Sequence, residues 1–405
     1  MKILHAHKYF YLRGGAERYM LELIKLQEEA GHTVAPFAMH YPKNDPSPWS
    51  EFFVSEINTE SGAGRGVDAV RQFGRALWSH EAYKQMLGMI EAFRPEICHV
   101  HNIYTHISPS ILKACGRRNI PVVMSVHDYA LVSANHALWA GTEPMDLNHL
   151  GVLATAKTKY IKDSYTATFT LSCIQKWHHL RHSYDRYIDK YLVASIFLKD
   201  ILVKNGFNEN KICVLPLFAQ PSLSLAQKED GSVVYFGRLE RYKGVHNLIE
   251  AMKLFPQVTL KIIGSGPYES ELRKIAKGMG NVKFLGFVSG NGLWETVGRA
   301  RVVVVPSQVY ETFGLSALEA MAVGRPVIVS DVGALKEVVE DGVSGRVFRA
   351  GDVHDLANKL NEFIHDVNYS NSMGEASLQR AEVIGNAERH LVEVMQIYAD
   401  ISNLD

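Results

Sequence analysis

Two carboxylates stand eight positions apart in Glu311-Thr-Phe-Gly-Leu-Ser-Ala-Leu-Glu319. The first follows the valine run Val302 to Val305, which reads as a buried parallel strand. The second falls one or two turns into a helix. A strand end, a loop bearing an acid and a helix N-terminus with free N–H groups together suit an anionic ligand. The two acids could then reach hydroxyl groups on either side of a phosphate, or either could serve as a general acid or base. Gly237-Arg238-Leu-Glu-Arg-Tyr-Lys243-Gly244 adds two cations on a glycine-bounded loop after another strand. Arg offers a fork for phosphate oxygens and Lys a mobile point charge, so a diphosphate matches both.

Three weaker signals sit elsewhere. Gly14-Gly15 opens a helix after the first strand and lets backbone approach a phosphate. Its spacing fits neither GxGxxG nor GxxxxGK[ST]. His127-Asp128-Tyr129 follows a strand and faces the expected cleft; a packed histidine reads equally well there. Tyr184, Tyr187 and Tyr191 recur at helical spacing, as an ordinary core helix or as a membrane- or acceptor-facing one. The chain has no Asp-x-Asp pair. Protein cations, with no metal and no other cofactor, are therefore expected to neutralise a diphosphate.

Strand–loop–helix–strand units must carry these residues. The first runs through residues 2–7, a helix from Ala16 to Ala30 and Thr33–Ala38. Strands follow at Ile97–His101, Val122–Val126 and Lys190–Ala194, with a helical stretch across Tyr160 to Tyr187. Composition turns polar around Leu217–Gly231, as in a linker. A second unit begins at Val233–Phe236 and continues through a helix at Val245–Leu254. Its further strands are Val258–Ile263, Asn281–Leu285, Val302–Val305 and Pro326–Ser330, and the chain is helical from His354. The fold class is α/β, with domains at 1–217 and 218–388. Ligands of such folds bind at the carboxyl ends of strands.

Composition restricts the partners. The 405 residues are 47% hydrophobic and 21% charged, and Lys+Arg and Asp+Glu both number 43. Zero net charge argues against bulk nucleic-acid binding. The first half is mildly basic and holds most of the 18 histidines, compatible with an anionic acceptor or peripheral contact with a membrane surface. Cys98, Cys115, Cys173 and Cys213 form no CxxC pair and read as reduced residues of a cytoplasmic protein. No apolar run approaches the roughly 18 residues of a membrane span, and the first residues form a strand start rather than a signal peptide.

Taken together, GRLERYKG, GSGP, LGFVS and the run PSQVYETFGLSALEAMAVGRPVIVSDVGALKEVVEDGVSGRVF resemble the retaining glycosyltransferases of family 4, with GGAER and VHDY matching in the first half. The resemblance implies the GT-B architecture, two Rossmann-like domains facing across a cleft. It implies a nucleotide-diphosphate sugar (UDP- or GDP-linked) as donor and a saccharide, glycolipid or small-molecule acceptor, in bacterial polysaccharide or glycolipid synthesis at the inner face of the membrane. Arg238 and Lys243 would bind the diphosphate, Glu319 the ribose and Glu311 the sugar, with the amides of Phe313, Gly314 and Leu315 at sugar and phosphate. Gly14 and Gly15 would lie against the phosphate, Gly237 and Gly264 in the donor loops, and Phe287-Val288 at the base. His127 would face the sugar, and residues 389–405 would cross back onto the first domain. The run Ala130 to Trp139 departs from relatives that carry a cysteine-rich insert there, so the acceptor does not carry over. A sugar-nucleotide epimerase and a non-catalytic binder are the rivals.

Overall fold

The computed structural model describes residues 1–57, 67–220 and 228–402. Part of the expected linker (221–227) and the chain end (403–405) fall outside the described residues. Strands β1 (Lys2–Ala6), β2 (Thr33–Phe37), β3 (Ile97–Val100) and β4 (Val122–Val126) are followed by a two-stranded hairpin, β5 (Trp139–Ala140) and β6 (Glu143–Pro144). β7 (Lys190–Val193) and β8 (Ile212–Val214) complete the first half. The second half contains β9 (Ser232–Phe236), β10 (Leu260–Ile263), β11 (Val282–Gly286), β12 (Ala300–Val305), β13 (Val327–Ser330) and β14 (Gly345–Phe348).

The large sheets have orders β2-β1-β3-β4-β7-β8 and β11-β10-β9-β12-β13-β14, and all their pairings are parallel. Full burial on both faces explains why the central strands read as unbroken apolar runs: every residue of β4 and β9 is buried. Each sheet reverses its winding once, between β1 and β3 and between β9 and β12, and such points open the crevice that binds ligands. The helix Ala387–Ser402 returns to the first sheet: Val394, Tyr398 and Ile401 pack with Ile3, Ile97, Val123 and Leu192.

Local structure corrects two expectations. Tyr184, Tyr187 and Tyr191 do not share a helix. The helix Tyr165–Leu180 ends before them, and Tyr191 is a buried residue of β7. The 3–4 spacing here records a turn feeding a strand. The sheets are also one strand wider than expected on each side. β8 is three residues long after the polar Asn208–Lys211, and β14 begins with glycine, so neither carries much periodic signal.

Candidate functional site

The cation loop and the acid loop meet at the β9/β12 crossover of the second sheet. Lys243 Nζ lies 2.7 Å from Glu311 Oε1, and the Ser307 hydroxyl donates to the same oxygen. Gly244 makes this docking possible: its φ is +69°, and a Cβ there would sit 1.9 Å from the Pro306 carbonyl oxygen. Gln308 N–H donates to the Tyr242 carbonyl at 2.8 Å and stitches the loops further. Arg238 stands at the end of β9, its side chain 65% exposed and paired with Glu240 at 2.8 Å. Gly264, with φ +135°, would place a Cβ 1.9 Å from the Gly237 carbonyl, so the loops after β9 and β10 touch backbone to backbone.

Gly314 (φ +108°) caps the helix Leu315–Ala322 without any side-chain acceptor. Gly14 caps the helix Gly15–Glu29 in the same bare manner. The two helix starts meet: a Cβ on Gly15 would touch Leu315 at 3.7 Å. Two uncapped N-termini with Arg238 and Lys243 on neighbouring loops make an anion site. Glu319 is buried one turn into its helix and accepts from Arg18 Nη1 of the first domain. Burial pushes its carboxyl up and the Arg18 charge pulls it back. Nearby Glu22 is pushed up to about 7 by burial, against the pull of Arg18.

On the first sheet, His127 ends β4 and is held beneath the acid loop. Thr312 Oγ1 donates to its carbonyl at 3.1 Å. Tyr129 Oη donates to the Tyr310 carbonyl at 2.9 Å, and Ser195 Oγ to that of Thr312 at 2.7 Å. Glu337 of the second domain accepts the Ile196 and Phe197 amides, both at 2.8 Å. Burial lowers His127 to about 4, so the ring is neutral at pH 7. Lys8, just past β1, is depressed by burial and lies in the fields of Glu17, Asp128, Arg13 and Arg238.

The structure therefore brings Gly14, Gly15, His127, Arg238, Lys243, Glu311, Gly314, Leu315 and Glu319 around one crevice. Phe313 turns its side chain into the second core, leaving only its backbone for a ligand. Phe287 is 65% exposed, while Val288 packs on that core. Sequence reasoning passed over Arg18, Ser307, Thr312 and Lys8. Arg18 had a signal, a cation on the first turn after Gly14-Gly15; the others had none beyond lying near strand ends. A pocket opens beside the loop after His127, walled by Leu131, Leu171 and Phe207 and edged by Tyr104, His178 and Asp185. Each of those last three leaves a buried polar atom without a protein partner: Tyr104 Oη, His178 Nδ1 and Asp185 Oδ1.

The nitrogens of His5, His99 and His101 lie within 4.8 Å of one another, as a metal would need. All six nitrogens of these rings are, however, already hydrogen-bonded to protein. No described helix is long and apolar enough to cross a membrane.

Known proteins resemble this chain in sequence and in fold. Residues 13–222 match the model described as Glycosyltransferase Family 4, and residues 220–380 that of Glycosyl transferases group 1. The sulfoquinovosyl transferase of Arabidopsis thaliana is 33% identical over 40% of this chain and 32% of its own length. An uncharacterised glycosyltransferase of Methanocaldococcus jannaschii is 31% identical over 67% of this chain and 66% of its own. The chain thus spans about a third and about two thirds of these two relatives. Anabaena HepE, solved in complex with UDP-glucose, superposes with a TM-score of 0.68 at 19% identity, covering 99% of this chain and all of that one. The chain belongs to glycosyltransferase family 4, among the group 1 glycosyl transferases, and has their GT-B fold.

Proposed function

We propose that the protein transfers a sugar from a nucleotide diphosphate, UDP or GDP, to an acceptor hydroxyl with retention at the anomeric carbon. The Lys243–Glu311 pair beside Arg238, at the sheet crossover and facing two uncapped helix starts, carries this reading. The diphosphate lies against Arg238, Lys243 and the amides at Gly14-Gly15 and Gly314-Leu315. Glu311 takes the transferred sugar and Glu319 the ribose, with Arg18 holding the latter carboxylate. The Phe287-Val288 loop receives the base.

In the reaction the bond from the anomeric carbon to the phosphate oxygen breaks, and a bond to the acceptor oxygen forms on the same face. The acceptor proton passes to the departing phosphate oxygen, so the nucleoside diphosphate leaves with it. Charge grows on the diphosphate along this path, and the cations and helix amides stabilise it more there than at the start. No metal is assigned a part, because the cations supply the neutralising charge.

The acceptor enters beside His127. The cavity under Leu131 offers His178 Nδ1 and Asp185 Oδ1 as acceptors against apolar walls, which suits a saccharide better than an aromatic small molecule. A saccharide or the sugar end of a glycolipid is the acceptor class, as in polysaccharide or glycolipid synthesis at the inner face of a membrane. An epimerase of the same fold would consume donor without acceptor.

Arg238→Ala and Lys243→Ala are each expected to lower transfer on the order of 10²-fold, read as nucleoside diphosphate released per acceptor glycosylated. Wild-type rates in both variants would sink the assignment. The anomeric configuration of the product, read by proton NMR, decides retention.

A further inference from the structure

We infer that a one-way hydrogen-bond chain, running from the Gln27 amide to the cleft, fixes His127 with its proton on Nε2 and leaves Nδ1 as a bare acceptor. The chain starts at the side-chain amide of Gln27, whose Nε2 can only donate and whose Oε1 can only accept. At its far end His99 Nε2 donates to Ser125 Oγ at 2.8 Å. His99 Nδ1 accepts from Tyr398 Oη at 2.5 Å, and Tyr398 accepts in turn from Gln27 Nε2 at 3.3 Å.

The amide of Gln27 turns the direction toward the site. Its Oε1 accepts from His5 Nε2 at 2.9 Å, His5 Nδ1 accepts from His101 Nε2 at 3.0 Å, and His101 Nδ1 accepts from His127 Nε2 at 3.0 Å. Reversing any link sets two protons or two lone pairs face to face. Protonating a ring would break the pattern, and burial opposes it: His5 and His127 are lowered to about 4, and His99 and His101 are lowered well below the ordinary range. His127 Nδ1 has no protein hydrogen bond among the described residues and is not sealed from solvent.

A bare Nδ1 can accept a proton from a hydroxyl but repels a carboxylate or phosphate oxygen. His101 and Gln27 are thus positioning residues, and His127 selects a hydroxyl-bearing, uncharged part of the transferred sugar. This second clause rests on the function proposed above; the tautomer does not.

The test is a long-range proton–nitrogen NMR spectrum of the full-length protein labelled with ¹⁵N-histidine at pH 7.5, with His127 assigned by the loss of its signals in His127→Gln. A pyrrole-type Nε2 and a pyridine-type Nδ1 are expected. Protonated Nδ1, or an averaged pair, overturns the inference, and the wild-type spectrum alone decides it. Gln27→Met removes both the acceptor for His5 and the donor to Tyr398. It should average the His127 signals and slow transfer on the order of tenfold. A single retained Nε2–H tautomer in that variant would deny Gln27 its role. Tight Zn²⁺ binding that abolishes the wild-type pattern would instead assign the rings to a metal. UDP-glucose should be preferred over UDP-glucuronate at least about tenfold; equal use contradicts the selectivity while leaving the tautomer intact. Failure to bind any nucleotide sugar strikes the function but not the spectrum.

Discussion

At the scale of single residues, glycines decide how closely the site's loops approach. Gly264 is the sharpest case, since any Cβ there would collide with the Gly237 carbonyl at a φ that side chains rarely adopt. Gly264→Ala is expected to cost about 2–3 kcal/mol, measured by chemical denaturation, and to weaken nucleotide binding with it. Unchanged stability would mean that the two loops are not packed as described. The Glu319–Arg18 contact behaves differently. Removing Arg18 leaves a buried carboxylate without its cation, and Arg18→Met should destabilise by roughly 3 kcal/mol at pH 8. The loss should shrink at pH 5, where the uncompensated carboxyl takes a proton. A loss independent of pH would show that Glu319 is not charged in the native protein. The acids and cations were legible in the sequence because each follows a strand at the open end of the sheet. Arg18 and Thr312 were not, since what makes them matter is a neighbour from the other half of the chain, about 300 and 185 positions away in their hydrogen bonds.

At the scale of elements, the acid loop after β12 is the hinge of the arrangement. Its backbone takes hydrogen bonds from Tyr129 and Ser195, and its Thr312 gives one to His127. The helix Ile196–Lys204 is capped twice. Ser195 Oγ accepts from Leu198 N–H at 3.1 Å, while Glu337 accepts the first two amides from across the crevice. Glu337→Ala should cost about 1 kcal/mol and speed hydrogen exchange at the Ile196 and Phe197 amides. Unaltered exchange would mean the cap does not hold the halves together. Long elements with strong periodicity, such as the helix Gly15–Glu29 and the valine strand β12, could be read directly from the sequence. The narrow edge strands could not, because three or four residues at a sheet edge are specified by the neighbour they pair with.

At the scale of the whole molecule, two doubly wound sheets contribute unequal things. In the function proposed here the second supplies charge for a diphosphate, while the first supplies His127 and the histidine-lined interior behind it. That interior has a cost in acid. A group whose folded pKa lies below its unfolded value binds fewer protons when folded, so stability rises with pH between the two values. For His5, His127 and His390 the window runs from about 4 up to 6.5. Stability should be fully present above pH 6.5 and fall as pH drops toward 4, each ring contributing on the order of 3 kcal/mol. Denaturation midpoints that stay flat from pH 7 to 4.5 would show that these rings are not buried neutral. The doubled rhythm of strands and helices made the two-sheet fold readable from the sequence. The hydrogen-bond chain was not, because it joins residues from three strands and two helices that meet only after folding.

The central claim is that Arg238 and Lys243 hold the diphosphate of a nucleotide sugar. A thermal-shift titration with UDP- and GDP-sugars tests it most directly, since a ligand at 100 times its Kd stabilises the folded state by about 2.7 kcal/mol. The wild-type protein should be stabilised by at least one such donor, and the Arg238→Ala/Lys243→Ala double variant should lose the shift while keeping its ligand-free melting temperature. An equal shift in both proteins, or none in the wild type with any nucleotide sugar, would contradict the account.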